Sequence, residues 1–467
     1  MAARPLVERQ PNERLQALIN EAGCSNVGLA RRVNMSGVEH GLDLRYDKTS
    51  VSRWLRGQKP RGLTPVIIAE VLGHKLGRAV SVEEIGMSNN RQQQASGIGL
   101  TFAPALTGAI EQACELWRSD AGGQNLHAGS TVAVSALLGP SRDWLITDLD
   151  STVTRVGGQR IGRADIELMT KATRHLADLD HRFGSGHVRT IAVHYLNSVV
   201  SCLLKGSYQE RAGRRLYAAA ARLTELVGYM AVDSGKPGQA QRYYIQALRL
   251  AQAAGDRGYG GYVLAAGMSR VAPSLGYPRE VAQLARAARE GTRGHATLTT
   301  QACLYAAEAR GYALLGDNQA CSLAVGRAVE ALEQADPANE PEWIAHFDGA
   351  YLADQLAHCY IDLNRPEPAV RKAEEALSGH PEHRVRRRAI DLLLMATAQI
   401  LARELDAGCD TAKEAVRLIV HLRSNLSVEY LKIFRYQLRK FGQEAAVRHE
   451  FEAWLEKTEA GALLNAG

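Results

Sequence analysis

Tyr46-Asp47-Lys48-Thr49-Ser50-Val51-Ser52-Arg53-Trp54-Leu55-Arg56-Gly57-Gln58-Lys59-Pro60-Arg61 reads as one short, well-punctuated helix. Asp47 is placed to cap its first turn, and Gly57 and Pro60 end it. Val51, Trp54 and Leu55 fall at i, i+3 and i+4, an apolar stripe that must pack on something. The other face carries Lys48, Thr49, Ser52, Arg53 and Arg56, with Ser50 beside them. These are donors able to reach base edges or phosphate oxygens in a major groove. Lys59 and Arg61 follow the helix and are placed for phosphates. A charged helix face is usually only solvated. Here, though, Arg45, Lys48, Arg53, Arg56, Lys59 and Arg61 stand against the single acid Asp47. Cations packed that closely repel one another unless a polyanion neutralises them. The stretch therefore reads as a DNA-recognition helix.

The rest of the chain agrees with that placement. Residues 1–91 hold 14 Lys/Arg against 9 Asp/Glu, so +5 of the net +6 is N-terminal. At 467 residues the chain exceeds one ordinary core, and two or more domains are expected. Seven scattered cysteines with no C-x-x-C pair read as reduced, buried thiols. No stretch reads as a secretory signal or a bilayer span, so a cytoplasmic, nucleoid-associated protein with no membrane partner is expected. H-E-x-x-H, G-x-S-x-G and Walker patterns are all missing. No enzyme, metal or cofactor is expected.

Upstream, Asn12 caps a helix bearing Leu15, Leu18 and Ile19 that stops at Gly23, and Ser25 caps a second over Asn26–Val33. Met35–Tyr46, with Gly37 and Gly41, reads as an extended loop. Thr64-Pro65 opens another helix, and Ser81-Val82-Glu83-Glu84 leads to a last short turn near Ile85, for five short helices in all. The order Leu29-Ala30, then Thr49-x-Val51-Ser52-x-Trp54-Leu55-x-Gly57, then Pro60 resembles the lambda-repressor-like (Cro/C1-type, XRE) helix-turn-helix family. The resemblance implies that Lys48, Thr49, Ser52 and Arg53 read bases and that Asn26 stands where the family usually has glutamine. The family joins its second and third helices tightly, so the Met35–Tyr46 loop is a departure. It is read as a longer connection; the alternative is a second DNA-touching element through Arg45 and His40.

The expected organisation is an all-α chain. A DNA-binding domain over 1–87 is followed by a flexible linker over 88–98, a helical region over 99–190, an α-solenoid over 191–458 and a tail over 459–467. The solenoid rests on an internal repeat whose turns fall at 235, 276, 316, 364 and 403. Its clearest copy runs from Gly228-x-x-Ala231 through Gly235-Lys236-Pro237 to Tyr244-x-x-Ala247-Leu248. Small residues there mark close helix crossings, and the pattern resembles the tetratricopeptide repeat at a longer spacing. A HEAT-like stack of helical hairpins is the alternative. Three further features are read as ordinary structure: Asp178–His187 as a turn, most solenoid aromatics as core, and Arg384-Val385-Arg386-Arg387-Arg388 as a solvated face with Glu382 and Asp391 as local ion partners.

Taken whole, the chain resembles actinobacterial helix-turn-helix and tetratricopeptide regulators, such as streptomycete negative regulators of sporulation and antibiotic production. Tyr46–Val51 and Tyr243-Tyr244-Ile245-Gln246-Ala247-Leu248-Arg249-Leu250-Ala251 carry that resemblance. It implies a transcription factor, a repressor, bound to double-stranded DNA as a homodimer. The solenoid would dimerise or hold a peptide, small-molecule or protein effector in its groove. The rival expectation is a tetratricopeptide interaction scaffold with a vestigial DNA-binding head.

Overall fold

The computed structural model describes residues 11–39, 44–60, 64–76, 80, 82, 84–87, 97–122, 132–133, 135–273, 276–441 and 446–465. Among these, every regular element is helical, and β geometry is confined to two isolated bridges, Arg155 with Tyr208 and Arg160 with Ser207. The chain divides into two compact units, Met1–Gly97 and Ile98–Gly467. No helix among the described residues is long and apolar enough to cross a membrane.

The first unit holds α1 (Glu13–Glu21), α2 (Asn26–Glu39), α3 (Lys48–Leu55) and α4 (Thr64–Leu76). The caps fall where small polar residues stand. The Asn12 side chain accepts from Leu15 N at 3.1 Å and donates to Ile85 O at 2.8 Å, tying both ends of the unit together. Ser25 Oγ accepts from Gly28 N at 3.1 Å. Leu15, Ile19, Leu29, Val33, Val51, Trp54, Ile68, Leu72 and Ile85 close one core. Around Ile85 the described residues 84–86 form the expected short turn, and four helices fall among the described residues of this unit. The expected loop from Met35 is also corrected, because α2 continues through Glu39. Gly37 is buried inside it, and a Cβ there would lie 2.6 Å from Leu44 Cδ1. This glycine is therefore a point of close chain approach and not a loop residue. His40, on which together with Arg45 the alternative reading of that loop leaned, lies outside the described residues.

In the second unit α5 (Leu106–Ala121), α6 (Ser135–Ile146), α7 (Arg163–Phe183), α8 (Ser185–Tyr195) and α9 (Ser201–Lys205) precede a run of hairpins. The hairpin helices are α10 (Glu210–Asp233), α11 (Pro237–Ala254), α12 (Arg257–Tyr262), α13 (Pro278–Gly291), α14 (Leu298–Leu314), α15 (Asn318–Glu333), α16 (Gly349–Asp362), α17 (Pro366–Gly379), α18 (Val385–Leu401), α19 (Leu405–Ile419), α20 (Asn425–Arg439) and α21 (Ala446–Glu456), before a last α22 (Glu459–Asn465). Chain neighbours pack as hairpins, α10 on α11, α14 on α15, α16 on α17 and α18 on α19, and the first helices α14, α16, α18 and α20 also stack in order. Each expected turn residue has a left-handed backbone: Gly235 (φ 70°), Gly276 (76°), Gly316 (75°), Asn364 (54°) and Arg403 (68°). Asn364 and Arg403 are the two non-glycine residues with positive φ among the described residues, so the turn geometry persists where glycine does not. At the first crossing Gly228 faces Tyr244, whose ring a Cβ would meet at 3.0 Å.

Two features hold residues 98–190 to these hairpins. Helix α11 is buried from Gly238 to Ala253, and its polar side chains serve as anchors for the preceding segment. Gln241 bonds both backbone groups of Ala133 (2.9 and 2.8 Å), Gln246 donates to Gly99 O (3.0 Å), Arg249 to Ala103 O (2.6 Å), and Gln252 to Thr147 O (2.9 Å). Those partners satisfy side chains that would otherwise be costly to bury. The core is accordingly continuous across position 190, from Phe102 to Leu304. In addition, α7 packs on both α10 and α18, bridging the first hairpin and a late one.

Candidate functional site

The face foreseen in the sequence is built on α3. Asp47 Oδ1 accepts from Ser50 N at 2.8 Å while Asp47 N donates to Ser50 Oγ at 3.4 Å, a reciprocal cap. The Ser50 hydrogen bonds, chiefly, hold the Asp47 carboxyl below its ordinary pKa. Val51 and Trp54 are buried, and Tyr46 meets Trp54 edge-on with centroids 5.0 Å apart. Asn34 then grips Tyr46 from α2, donating to its carbonyl at 2.9 Å and accepting from its N–H at 2.8 Å. The start of α3 is thus held from inside by two elements, which fixes its outer face.

On that face Lys48, Thr49, Arg53 and Arg56 are exposed, as are Arg45 before the helix and Lys59 after it. Ser52 is half-buried, its hydroxyl donating to Lys48 O at 3.0 Å, and Arg56 Nε donates to Ser52 O at 3.2 Å. Asn26 is the first residue of α2 and half-buried. Ser50 is a correction. It is only 7% exposed, and its hydroxyl donates to Asp47 Oδ1 at 2.8 Å, so the cap consumes the group expected to face DNA. Arg61 lies outside the described residues.

The second unit contains a cavity that sequence reasoning missed. It has a volume of about 340 Å³ and lies among α7, α10, α12, the 342–351 segment and the start of α18. Its walls carry Arg174, Arg222, Arg270, Arg384, Arg386 and Arg387, together with Tyr229, Tyr259, Tyr262, Tyr351 and Trp343. The run read as a solvated face forms one of these walls. Arg386 is buried and pairs with Asp180 at 2.5 Å and Asp233 at 3.1 Å, both fully buried. Arg387 pairs with Asp354 at 3.1 Å, and Arg388 donates to the carbonyls of Leu377 (2.8 Å) and His380 (3.0 Å). Asp391, expected as a local partner, is bound to His380 Nδ1 at 2.6 Å. Asp180 likewise lies in α7 rather than a turn, and Gly184 (φ 80°) separates α7 from α8.

Burial, and then the nearby arginines, push His181 and His346 down to about 3, so both are neutral near pH 7. Burial pushes Glu225 up to about 7. Rings and guanidinium groups alternate through one wall: Arg386 lies over Tyr229 (4.7 Å), Arg270 over the same ring (5.4 Å), and Arg387 over Tyr351 (4.6 Å). A second cavity of about 590 Å³ lies beyond, and Tyr229, Arg270, Tyr351, Arg387 and Ile390 line both. Among the aromatics, Tyr243, Tyr244, Tyr259 and Tyr351 are buried in the core as expected, and Tyr259 and Tyr351, with Tyr262 and Trp343, also line the cavity.

A family model described as the SP15 N-terminal domain matches residues 15–88. The match covers α1 to α4 and the turn at Ile85, the same residues that build the α3 face, and names a family other than the lambda-repressor-like one. No curated protein matches the chain.

Proposed function

We propose that the chain is a sequence-specific DNA-binding transcriptional regulator, acting as a homodimeric repressor of development or secondary metabolism. In this reading the first unit is a helix-turn-helix head and α3 enters the major groove. The hairpins are a tetratricopeptide-like α-solenoid that mediates dimerisation, holds an effector, or both. The observation carrying the proposal is a recognition-length helix capped by Asp47 and anchored by Trp54, whose outer face offers Lys48, Thr49, Arg53 and Arg56 with no acid among them. One such head touches only a few base pairs, so a paired half-site read by a dimer supplies the remaining specificity. The repeat reading is supported by the left-handed turn residue that recurs between helices from Gly235 to Arg403.

The test is selection from a pool of genomic DNA fragments at ~150 mM salt with purified full-length protein. A few enriched fragments sharing a paired motif are expected. Arg53→Ala should cost about 1–3 kcal/mol and relax preference at one base pair, whereas Lys59→Ala should weaken all sequences alike and lower the salt slope by about 1. Equal effects of Arg53→Ala on specific and random DNA would remove the assignment of base reading to Arg53. Enrichment without a shared motif would remove the transcription-factor reading itself.

A further inference from the structure

From the second unit we infer that the cavity among α7, α10 and α18 binds a small anionic molecule built on a planar ring. The inference rests on the effector-binding role proposed above and gives that effector its chemistry. Charge is the first argument. Of the six arginines on the walls, Arg174 pairs with Glu342, Arg386 with Asp180 and Asp233, and Arg387 with Asp354. Among the described residues, Arg222, Arg270 and Arg384 have no carboxylate within 4.0 Å. Arg222 goes further: its Nε is buried and has no hydrogen-bond partner. Glu225 is the carboxylate left to offset these three, and burial pushes it up to about 7, so only part of it is charged at neutral pH. A guanidinium withdrawn from water without a counter-charge is costly, and a bound anion removes that cost.

The rings give the second argument. Tyr259 and Tyr262 stack with centroids 5.7 Å apart, and Trp343 meets them at 5.1 and 5.4 Å. Arg222 lies 5.8 Å over the Tyr259 ring, which brings an unpaired cation to an aromatic platform. That juxtaposition suits a flat ring whose acidic group points at Arg222. Protonated Glu225 can then donate to an oxygen of the ligand.

Size and partition give the third. A volume of about 340 Å³ suits a small molecule. An extended peptide advances about 3.3 Å per residue and needs a continuous groove, whereas Arg270, Tyr351 and Arg387 stand between this cavity and the next. Arg270 and Arg387 both donate to Tyr351 Oη, at 2.6 and 3.1 Å, which braces that divide.

Calorimetric titration of the full chain tests the inference without DNA present. The probes are indole-3-carboxylate and adenosine monophosphate, a carboxylate on a planar ring and a phosphate joined to one through a ribose, with indole and adenosine as neutral counterparts. At least one acid should bind at one site per chain, at least tenfold tighter than its neutral counterpart. Arg222→Gln and, separately, Arg384→Gln should each weaken it by about tenfold while leaving the far-ultraviolet spectrum intact. Which acid binds identifies the anionic group. Acids that bind no better than the neutral rings, or not at all to millimolar concentration, overturn the inference, as does binding indifferent to both substitutions. Failure here leaves the DNA selection untouched. Conversely, tight acid binding by a protein that selects no DNA motif sinks the regulator while the site stands.

Discussion

Replacing Arg386 by methionine separates a structural latch from a solvated charge run. Arg386 is 3% exposed, and its guanidinium spans Asp180 on α7 and Asp233 on α10, both 0% exposed. Methionine keeps much of the volume but leaves two carboxylates without their cation in a site that water does not reach. Their other bonds persist: Ser185 Oγ to Asp180 at 2.5 Å, Ser185 N to Asp233 at 3.0 Å, and Ser424 Oγ to Asp233. Hydrogen bonds without a counter-charge do not offset the desolvation of two anions. The expected loss is about 3–5 kcal/mol, the usual cost of removing one partner of a buried pair. A domain's whole stability is roughly 5–15 kcal/mol, so the effect is large. Had the run been a solvated face, the change would stay within about 0.5 kcal/mol. Urea unfolding of the full chain followed by circular dichroism measures the loss. The variant Arg386→Met, Asp180→Asn, Asp233→Asn should recover most of it, because it removes the stranded charges. A loss under about 1 kcal/mol, or a triple variant no better than the single one, refutes the reasoning.

Three more substitutions test separate links. Trp54→Ala should cost about 3–5 kcal/mol and abolish the melting transition of the first unit, because the ring is buried under α3 and braced by Tyr46; an unchanged calorimetric trace excludes that. Gly316→Ala should cost about 1 kcal/mol through the backbone alone, since its Cβ meets nothing within 4 Å at φ 75°, and Arg403→Gly should shift the urea midpoint the other way. His346→Gln should become more favourable, relative to the parent, by about 1.4 kcal/mol as pH falls from 7.5 to 5.5. Burial and then Arg384 hold this histidine at about 3 in the folded chain, so acidification charges it only in the unfolded chain and the parent loses stability; a difference independent of pH contradicts that environment.

What could be read from the sequence was local. Asn12, Ser25 and Asp47 announce their helices because capping needs only the next three residues. The five turn residues were found because a helical hairpin must reverse every forty or so positions, and small residues mark its crossings. Two corrections are local: Gly37 packs on Leu44, seven residues on, inside a helix that runs past Met35, and Ser50 turns its hydroxyl back onto Asp47, three residues away. Arg386 is different, because its partners are distant in the chain. It had Glu382 and Asp391 four and five positions away, yet its partners lie 206 and 153 positions away. The one available signal was Asp180, an acid at the inner edge of an amphipathic helix, and a single sequence cannot match it with an arginine two hundred residues on.

The cavity is also where the second unit departs from what stability alone would select. Several buried charged and amide groups elsewhere have partners, Gln241 with Ala133, Arg249 with Asp150 and Ala103, Arg189 with Asp120 and Gln239, while single buried atoms such as Gln399 Oε1 have none. Among the described residues Arg222, Arg270 and Arg384 have no carboxylate in reach, and Arg222 Nε has no partner at all. Replacing ions that are imperfectly matched with apolar side chains commonly costs nothing or gains stability. Cations kept without a carboxylate beside stacked rings mark the point at which local energetics and a purely structural role disagree. Such disagreements concentrate at functional sites. The same wall contains Arg386, which joins α18 to α7 and α10, so an anion seated against Arg222 and Arg384 changes the field at the latch holding these helices together. Differential affinity of that anion for latched and unlatched arrangements is the quantity through which occupancy could act on the rest of the unit.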